Sequence, residues 1–571
     1  MRKNLRMNEP HRVKSNLEYL RKLFIMPDSP DKFVEFGNEL LEMIHDFFQE
    51  KGGIHSSISL PELSKIFNQK SLPHEPHLIK DVLAEIKTKI IAHSVKVGNP
   101  YYIGHMISAV PYFMILLEMI IAALNQNQVK IETAKASSFV ERELVAWLHR
   151  LIFHRTDRFY ETNIQNPRVA LGNVTTDGTL ANLTALLVAR ERAFPPDGDF
   201  PGLRIAGMHR AFEHYGCDRA VVLVSTRGHY SIKKTVHILG LGEENVITIP
   251  VDEKNRIRID RLRQKIDSLA ENGEGKKTRI IAIVGIAGTT ETGNVDDLEN
   301  LGKIARETGA YFHVDACWGG SALLAEEYRG LFKGISEADS VSIDAHKLLY
   351  CPMTMGLILF RNEKDLSTIR HSSKYIIRRN SVDTGRFTVE GSRPFAALKP
   401  WASLKIIGRQ GYGILMKQAQ KATENLQSII AHCGNFEALN DPDLFILTYR
   451  FLPETLKRHI TLLEETAAQK SALDGKIAEQ KIRKINFLVN GLNIKLHKAL
   501  RRDDSTFVSR TTLESTRYRP QNIVVLRAVL MNPLINRKVL EEIVETQNRI
   551  GLRLWKEFEP AYQKMINGKQ N

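Results

Sequence analysis

Two apolar runs in the middle of the chain stop at groups that could do chemistry together. Tyr-Phe-His-Val ends in Asp315 and continues as Ala-Cys-Trp-Gly-Gly, while Ser-Val-Ser-Ile ends in Asp344 and continues as Ala345, His346 and Lys347. In an α/β sheet, ligands collect beyond the carboxyl ends of the strands, so these residues stand where a site would form. A carboxylate at one strand end and a lysine at another meet the two demands of pyridoxal 5'-phosphate (PLP). The cofactor needs an amine for its aldehyde carbon and an acid that keeps its pyridine nitrogen protonated.

Three further segments fit that chemistry. Thr175-Thr176-Asp177-Gly178-Thr179 runs straight into an apolar-periodic helix. Backbone N–H groups at a helix start attract a phosphate, and Gly178 lets the backbone come close. His229, in RGHYSIKKTVHILG, follows one strand and precedes a helix, where its ring could stack on a flat cofactor. Thr289 and Thr290 follow Gly288 at the end of another strand, and their hydroxyls could reach the same ligand. Each signal alone has an ordinary reading as a cap, a turn or a solvated side chain. Their order along the chain, all at strand ends, is what carries the inference.

The elements that must position these residues are legible from periodicity. Strands are expected at Ala220–Ser225, Val246–Pro250, Arg279–Ile286, Tyr311–Asp315, Ser340–Asp344 and Gly356–Phe360, with helical stretches such as DDLENLGKIARETG between them. Strand, helix, strand at this rhythm predicts a mostly parallel sheet with covering helices. Residues 96–404 therefore read as one large α/β domain. Residues 1–95 read as a helical segment, from the spacing of apolar residues in NLEYLRKLF and FVEFGNELLEMIHDFF. Residues 405–571 read as a small α+β domain: a long helix at about 405–432, a strand in LFILTYRF, a basic helical stretch at 454–500 and a strand in NIVVLRAVLM.

Composition narrows the function classes. The chain has 571 residues, 43% hydrophobic and 25% charged, which excludes a wholly disordered chain and a collagen-like repeat. The net charge is +15, and residues 451–520 hold 14 Lys/Arg against 8 Asp/Glu. No aromatic-interleaved basic motif accompanies that surplus, so no nucleic-acid partner is expected. The surplus suits a protein that handles small anions. Cys217, Cys317, Cys351 and Cys433 form no metal-ligand spacing and no disulfide framework, so no metal and a reducing, cytoplasmic setting are expected. The apolar run from Pro111 to Leu124 contains Glu118 and is too short to span a bilayer. It reads as a buried helix, and no membrane association is expected.

HVDACWGGSALL…ADSVSIDAHK resembles the signature of the group II PLP-dependent amino acid decarboxylases, which include glutamate, cysteine sulfinate and aromatic amino acid decarboxylases. The likeness runs from about Asn99 to Gly413. It implies the aspartate aminotransferase-like PLP-dependent transferase fold (fold type I) and a homodimer with active sites at the subunit interface. The helical N-terminal segment could supply dimer surface. Residue by residue, Lys347 matches the cofactor-linking lysine and His346 a residue near the phosphate, with Asp344 at the same strand end. Asp315 matches the partner of the pyridine nitrogen, His229 the ring-stacking histidine, and Gly178 and Thr179 the phosphate-binding pair. YIIRRNSVDTGRFTVEGSRPFAALKPW resembles the mobile loop and arginine segment. There Tyr375 matches a proton donor to Cα, and Arg393 matches the arginine that grips the substrate carboxylate. PFAALKPW departs from the commoner pattern of an acidic residue and Leu-Trp.

For the substrate, NPYYIGHMISAVP aligns with the stretch that lines the side-chain pocket. His105 stands where glutamate decarboxylases carry an amide, and a partly cationic histidine could bind a side-chain carboxylate. GHMISA, NQNQVKIETAKASSFVERE and SKYIIR look most like a bacterial subgroup regarded as aspartate 1-decarboxylases, which make β-alanine for pantothenate synthesis. L-Aspartate is the expected substrate. Glutamate, giving 4-aminobutyrate, is the alternative, followed by an aromatic amino acid or a catalytically silent protein that has kept the scaffold.

Overall fold

The computed structural model describes residues 17–50, 52–270, 277–374, 377–378, 381–469 and 472–567. Its centre is a seven-stranded sheet of β1 (Gly172–Thr175), β2 (Cys217–Ser225), β3 (Val246–Ile249), β4 (Lys277–Ile286), β5 (Tyr311–Asp315), β6 (Ser340–Asp344) and β7 (Gly356–Phe360). The strand order is β1-β7-β6-β5-β4-β2-β3. All neighbours pair in parallel except those of β7, which runs antiparallel to both β6 and β1. Every residue of β5, β6 and β7 is buried, as a sheet covered on both faces requires. Register then sets the site: Ile286 pairs with Asp315 and Asp315 with Ser342, so β4, β5 and β6 end at one edge.

The expected strands are all present, the last three with the bounds read from the sequence. β1 went unread. Gly-Asn-Val-Thr is short and half polar, and it is a strand because it pairs with β7; a Cβ on Gly172 would collide with the Ile358 carbonyl.

The C-terminal sheet is antiparallel in the order β10-β11-β9-β8, from β8 (Phe436–Ala438), β9 (Ile446–Phe451), β10 (Ser509–Glu514) and β11 (Asn522–Val529). The long helix is Gly408–Cys433, preceded by a separate helix Leu398–Ile406. Gly408, at φ +67°, marks the joint. The basic stretch forms two helices, Glu454–Gln469 and Ala472–Asp503. The segment Tyr101–Ile103 lies along this sheet: Ile103 N–H donates to Phe507 O at 2.9 Å and Val529 N–H to Ile103 O at 2.7 Å.

The N-terminal helices leave much apolar surface uncovered. Phe33–Gln49 buries only Met43, and Phe24, Val34 and Leu60 are more than two-thirds exposed. The helix Tyr112–Leu124 corrects the expectation of a buried helix. Only Met114 and Ile121 are buried, while Tyr112, Leu116, Met119, Ile120 and Leu124 face outward, because this helix lies on the outside of a single chain. Among the described residues no helix is long and apolar enough to cross a membrane.

Candidate active site

The site begins where β1 turns into the helix Gly178–Ala193. Asp177 caps that helix, its Oδ1 accepting from Leu180 N–H at 2.9 Å. A carboxylate N-cap holds the first turn in place and aims the N–H groups of Gly178 and Thr179 along the helix start. No side chain fits at position 178: a Cβ there would lie 2.5 Å from Cys317 Sγ and 2.8 and 3.0 Å from the Asp344 carboxylate oxygens. The helix start, the turn after β5 and the end of β6 thus meet in one place.

Asp315 ends β5 nearly buried. Its Oδ2 accepts from Asn182 Nδ2 at 3.0 Å, and its Oδ1 accepts from Cys317 N–H at 3.2 Å. Burial by itself would raise its pKa, but His229, His313 and Lys347 outweigh that and hold the carboxyl below its ordinary value. Lys347 Nζ lies 3.0 Å from Asp344 Oδ2. Burial pulls the Lys347 amine down, and Asp344, Cys317 and Asp315 together push it above its ordinary value. Asp344 Oδ1 is buried with no partner. His346 turns its Nδ1 to Met355 O at 2.9 Å, and its Nε2 lies 3.9 Å from Asp344 Oδ2.

His229 caps the helix Tyr230–Ile238. Its Nδ1 meets Ser231 Oγ at 2.8 Å and accepts from Ser231 N–H at 3.3 Å. Burial pushes its pKa down, against the pull of Asp315. Thr289 is buried, but its hydroxyl is engaged inside its own turn, with Thr292 Oγ1 at 2.7 Å and Asn294 N–H at 3.2 Å. Tyr375 lies outside the described residues.

Arg393, expected to grip the substrate carboxylate, lies inside the protein. Arg393 is buried away from solvent and closed on Glu141: Nη2 to Oε1 at 2.8 Å, Nη1 to Oε2 at 3.2 Å, and Nη1 also to Val174 O at 3.0 Å. Both Nη groups of this guanidinium are committed, to a buried carboxylate and a backbone carbonyl, while its Nε is buried with no partner. A second buried arginine lies beside His105. Arg527 in β11 is buried, donates from Nε to Thr290 O at 2.7 Å and from Nη1 to Gly104 O at 3.1 Å, and keeps Nη2 buried with no partner. Burial pushes its pKa down to about 10, so it remains cationic near neutral pH. Burial and then the Arg527 charge push His105 below its ordinary value. That shift favours the neutral form of His105, which can donate or accept a hydrogen bond. Arg527 went unread because NIVVLRAVLM presents as an apolar strand. The signal it did offer was a lone charge in a run that must be buried.

These residues fit PLP. The helix start excludes a Cβ and so admits an anion to the backbone, Asp315 is held as an anion, and Lys347 supplies a buried amine beside it. Among the described residues no cluster of His, Cys, Asp and Glu could hold a metal ion.

Comparison with known proteins agrees. The pyridoxal-dependent decarboxylase conserved domain matches residues 61–451. The aspartate 1-decarboxylase of Aliivibrio fischeri is 39% identical over 538 residues, covering 94% of this chain and 95% of that one. The mouse cysteine sulfinic acid decarboxylase is 28% identical over 404 residues, covering 70% of this chain and 76% of that one. Among solved structures, the glutamate decarboxylase domain of diaminobutyrate-pyruvate transaminase and L-2,4-diaminobutyrate decarboxylase from Vibrio parahaemolyticus superposes with a TM-score of 0.74 at 20% identity. It covers 94% of this chain and all of that one, and the shared architecture is fold type I. The chain belongs to the pyridoxal-dependent decarboxylase family and is a PLP-dependent amino acid decarboxylase, a carboxy-lyase.

Proposed function

We propose that the substrate is L-aspartate and the products are β-alanine and carbon dioxide. The observation that supports this most directly is the identity of 39%, along 94% of the chain, to a protein described as aspartate 1-decarboxylase. The wall formed by cationic Arg527 and neutral His105 is compatible with it: a short dicarboxylate offers one carboxylate to a buried guanidinium and the other to a hydrogen-bond donor.

The residue roles belong to the same proposal. When bound, PLP supplies an electron sink for the pair left on Cα as carbon dioxide departs. Lys347 provides the amine that holds the cofactor. Asp315, favoured as an anion beside cationic Lys347, would hold the proton on the ring nitrogen, and a preorganised charge of this kind is usually the largest catalytic term. The N–H groups of Gly178 and Thr179 would receive the phosphate, with His346 and Thr289 as further cofactor contacts, and His229 would stack on the ring. Arg527 takes over the carboxylate grip that the sequence pattern assigned to Arg393, and orients the bond to be broken. Tyr375 returns the proton to Cα.

The enzyme acts as a homodimer in a reducing, cytoplasmic setting, with a helical segment over 1–95, a cofactor domain over 96–404 and a small domain over 405–571. The outward-facing apolar residues of the helices Phe33–Gln49 and Tyr112–Leu124 support the dimer, and the four free cysteines support the setting.

Product analysis tests the substrate. With PLP and, in parallel, L-aspartate, L-glutamate, L-2,4-diaminobutyrate or an aromatic amino acid, β-alanine is the expected main product. A larger yield of 4-aminobutyrate from glutamate would overturn the substrate and keep the mechanism. Lys347→Ala is expected to abolish turnover and the bound cofactor's visible absorption band, and retention of both would overturn the site.

A further inference from the structure

Asn182 sits one turn into the helix that starts at Gly178 and is 1% exposed. A buried amide must find partners for two N–H donors and a carbonyl, and this one finds all three on functional elements. Its Nδ2 donates to Asp315 Oδ2 and to Ser231 Oγ, each at 3.0 Å. Its Oδ1 meets His313 Nε2 at 3.0 Å, and His313 Nδ1 meets Ser340 Oγ at 2.9 Å. Ser231 Oγ in turn meets His229 Nδ1 at 2.8 Å.

The hydrogen positions in this chain follow from one fixed point. Ionised Asp315 can only accept, so the NH2 side of Asn182 must face it. The amide oxygen then faces His313, whose Nε2 must carry a hydrogen. His313 is buried and neutral, with its pKa pushed down to about 4 by burial, so its Nδ1 is bare and accepts from Ser340. On the other arm, Ser231 Oγ receives an amide hydrogen and so turns its own hydrogen to His229 Nδ1. That nitrogen already accepts from Ser231 N–H, so it too is bare. Neutral His229 therefore carries its proton on Nε2.

We propose that Asn182 is a positioning residue that joins the acid and the ring-stacking histidine into one hydrogen-bonded unit and fixes which nitrogen of His229 holds its proton. This rests on the assignment of Asp315 and His229 to the cofactor. The charged groups acting on His229 are Asp315, Lys347, Glu291 and Asp344, and Asn182 is the uncharged link that makes the first of them directional. The amide carries information between two strand ends without carrying charge.

The test compares Asn182→Leu, Asn182→Asp, Ser231→Ala and Asp315→Asn in two readouts other than turnover. One is the dissociation constant of PLP from the reconstituted apoprotein. The other is the pH midpoint of the bound cofactor's absorption. Asn182→Leu is expected to raise the dissociation constant about tenfold, the loss of one hydrogen bond to a carboxylate, and to move the midpoint. Asn182→Asp is expected to raise it further, because two carboxylates then face each other, and this near-isosteric variant decides the matter if the leucine variant does not fold. Ser231→Ala is expected to move the midpoint in the wild-type background and to move it less in the Asn182→Leu background, where the hydroxyl has already lost the amide that orients it. Wild-type values of both readouts in the two Asn182 variants, or full additivity with Ser231→Ala, would overturn the proposal. Asp315→Asn separates the two levels. If it weakens PLP binding while the Asn182 variants do not, only this inference fails; if it too leaves binding unchanged, the cofactor assignment fails with it.

Discussion

Removing the guanidinium of Arg393 should damage the fold, whereas removing that of Arg527 should damage turnover. Arg393 and Glu141 have side chains only 3% and 5% exposed, so Arg393→Met leaves a carboxylate buried without its counter-ion. Breaking one partner of such a pair costs about 3–5 kcal/mol, and the Val174 carbonyl of β1 loses a donor as well, which adds about 1 kcal/mol or more. A protein of several domains need not unfold in one step, so the decisive comparison is between variants. Thermal melts would be followed without PLP, so that ligand binding does not contribute. Arg393→Met should melt well below wild type. The double variant Glu141→Leu with Arg393→Leu should recover most of the loss, because an apolar pair of similar volume leaves no buried charge unpaired. Arg527→Met should melt closer to wild type and lose about ten- to a hundredfold in kcat/KM, the value of one charge-assisted hydrogen bond to substrate. The reasoning is refuted if Arg393→Met melts like wild type and raises only KM, or if the double variant stays as unstable as the single one.

Gly178→Ala should weaken PLP binding by about tenfold or more, since its Cβ must displace Cys317 or Asp344 at about 1–3 kcal/mol; equilibrium titration of the apoprotein measures it, and wild-type affinity would contradict the close approach. His149 is a pH reporter, with Nδ1 toward Tyr160 Oη at 2.9 Å and Nε2 toward Phe360 O at 3.0 Å and its pKa pushed down to about 4 by burial. Its folded value lies below the unfolded one of about 6.5, so its stabilising share is complete above pH 6.5 and is lost as the pH falls through 4, to the extent of about 3 kcal/mol. His149→Gln should flatten that part of the stability–pH curve, and an unchanged acid limb would count against it. Deleting the chain before Ile54 should shift sedimentation from dimer toward monomer and lower activity with it; a fully active monomer would remove the role of the N-terminal helices in assembly.

Much of the fold was readable because a buried parallel sheet writes itself as runs of Val, Ile and Phe, and β5, β6 and β7 are of that kind. Within the candidate site, Asp315 and Lys347 were legible as charged groups at the ends of such runs, and the structure places them near each other. The chain was unreadable where tertiary pairing decides. β1 is a strand only because β7 lies beside it. Arg393 and Arg527 are alike as letters, and only their neighbours, a buried carboxylate for one and two backbone carbonyls for the other, tell them apart. Asn182 gives no sequence signal, since an amide in the second turn of a helix reads as a solvated residue until its partners are known.

The strand β11 that carries Arg527 is the last in the chain, while the residues that receive the cofactor are complete once β7 has formed. A polypeptide leaves the ribosome N-terminus first and tends to fold in that order. The residues proposed to receive the cofactor therefore leave the ribosome before the strand that carries Arg527.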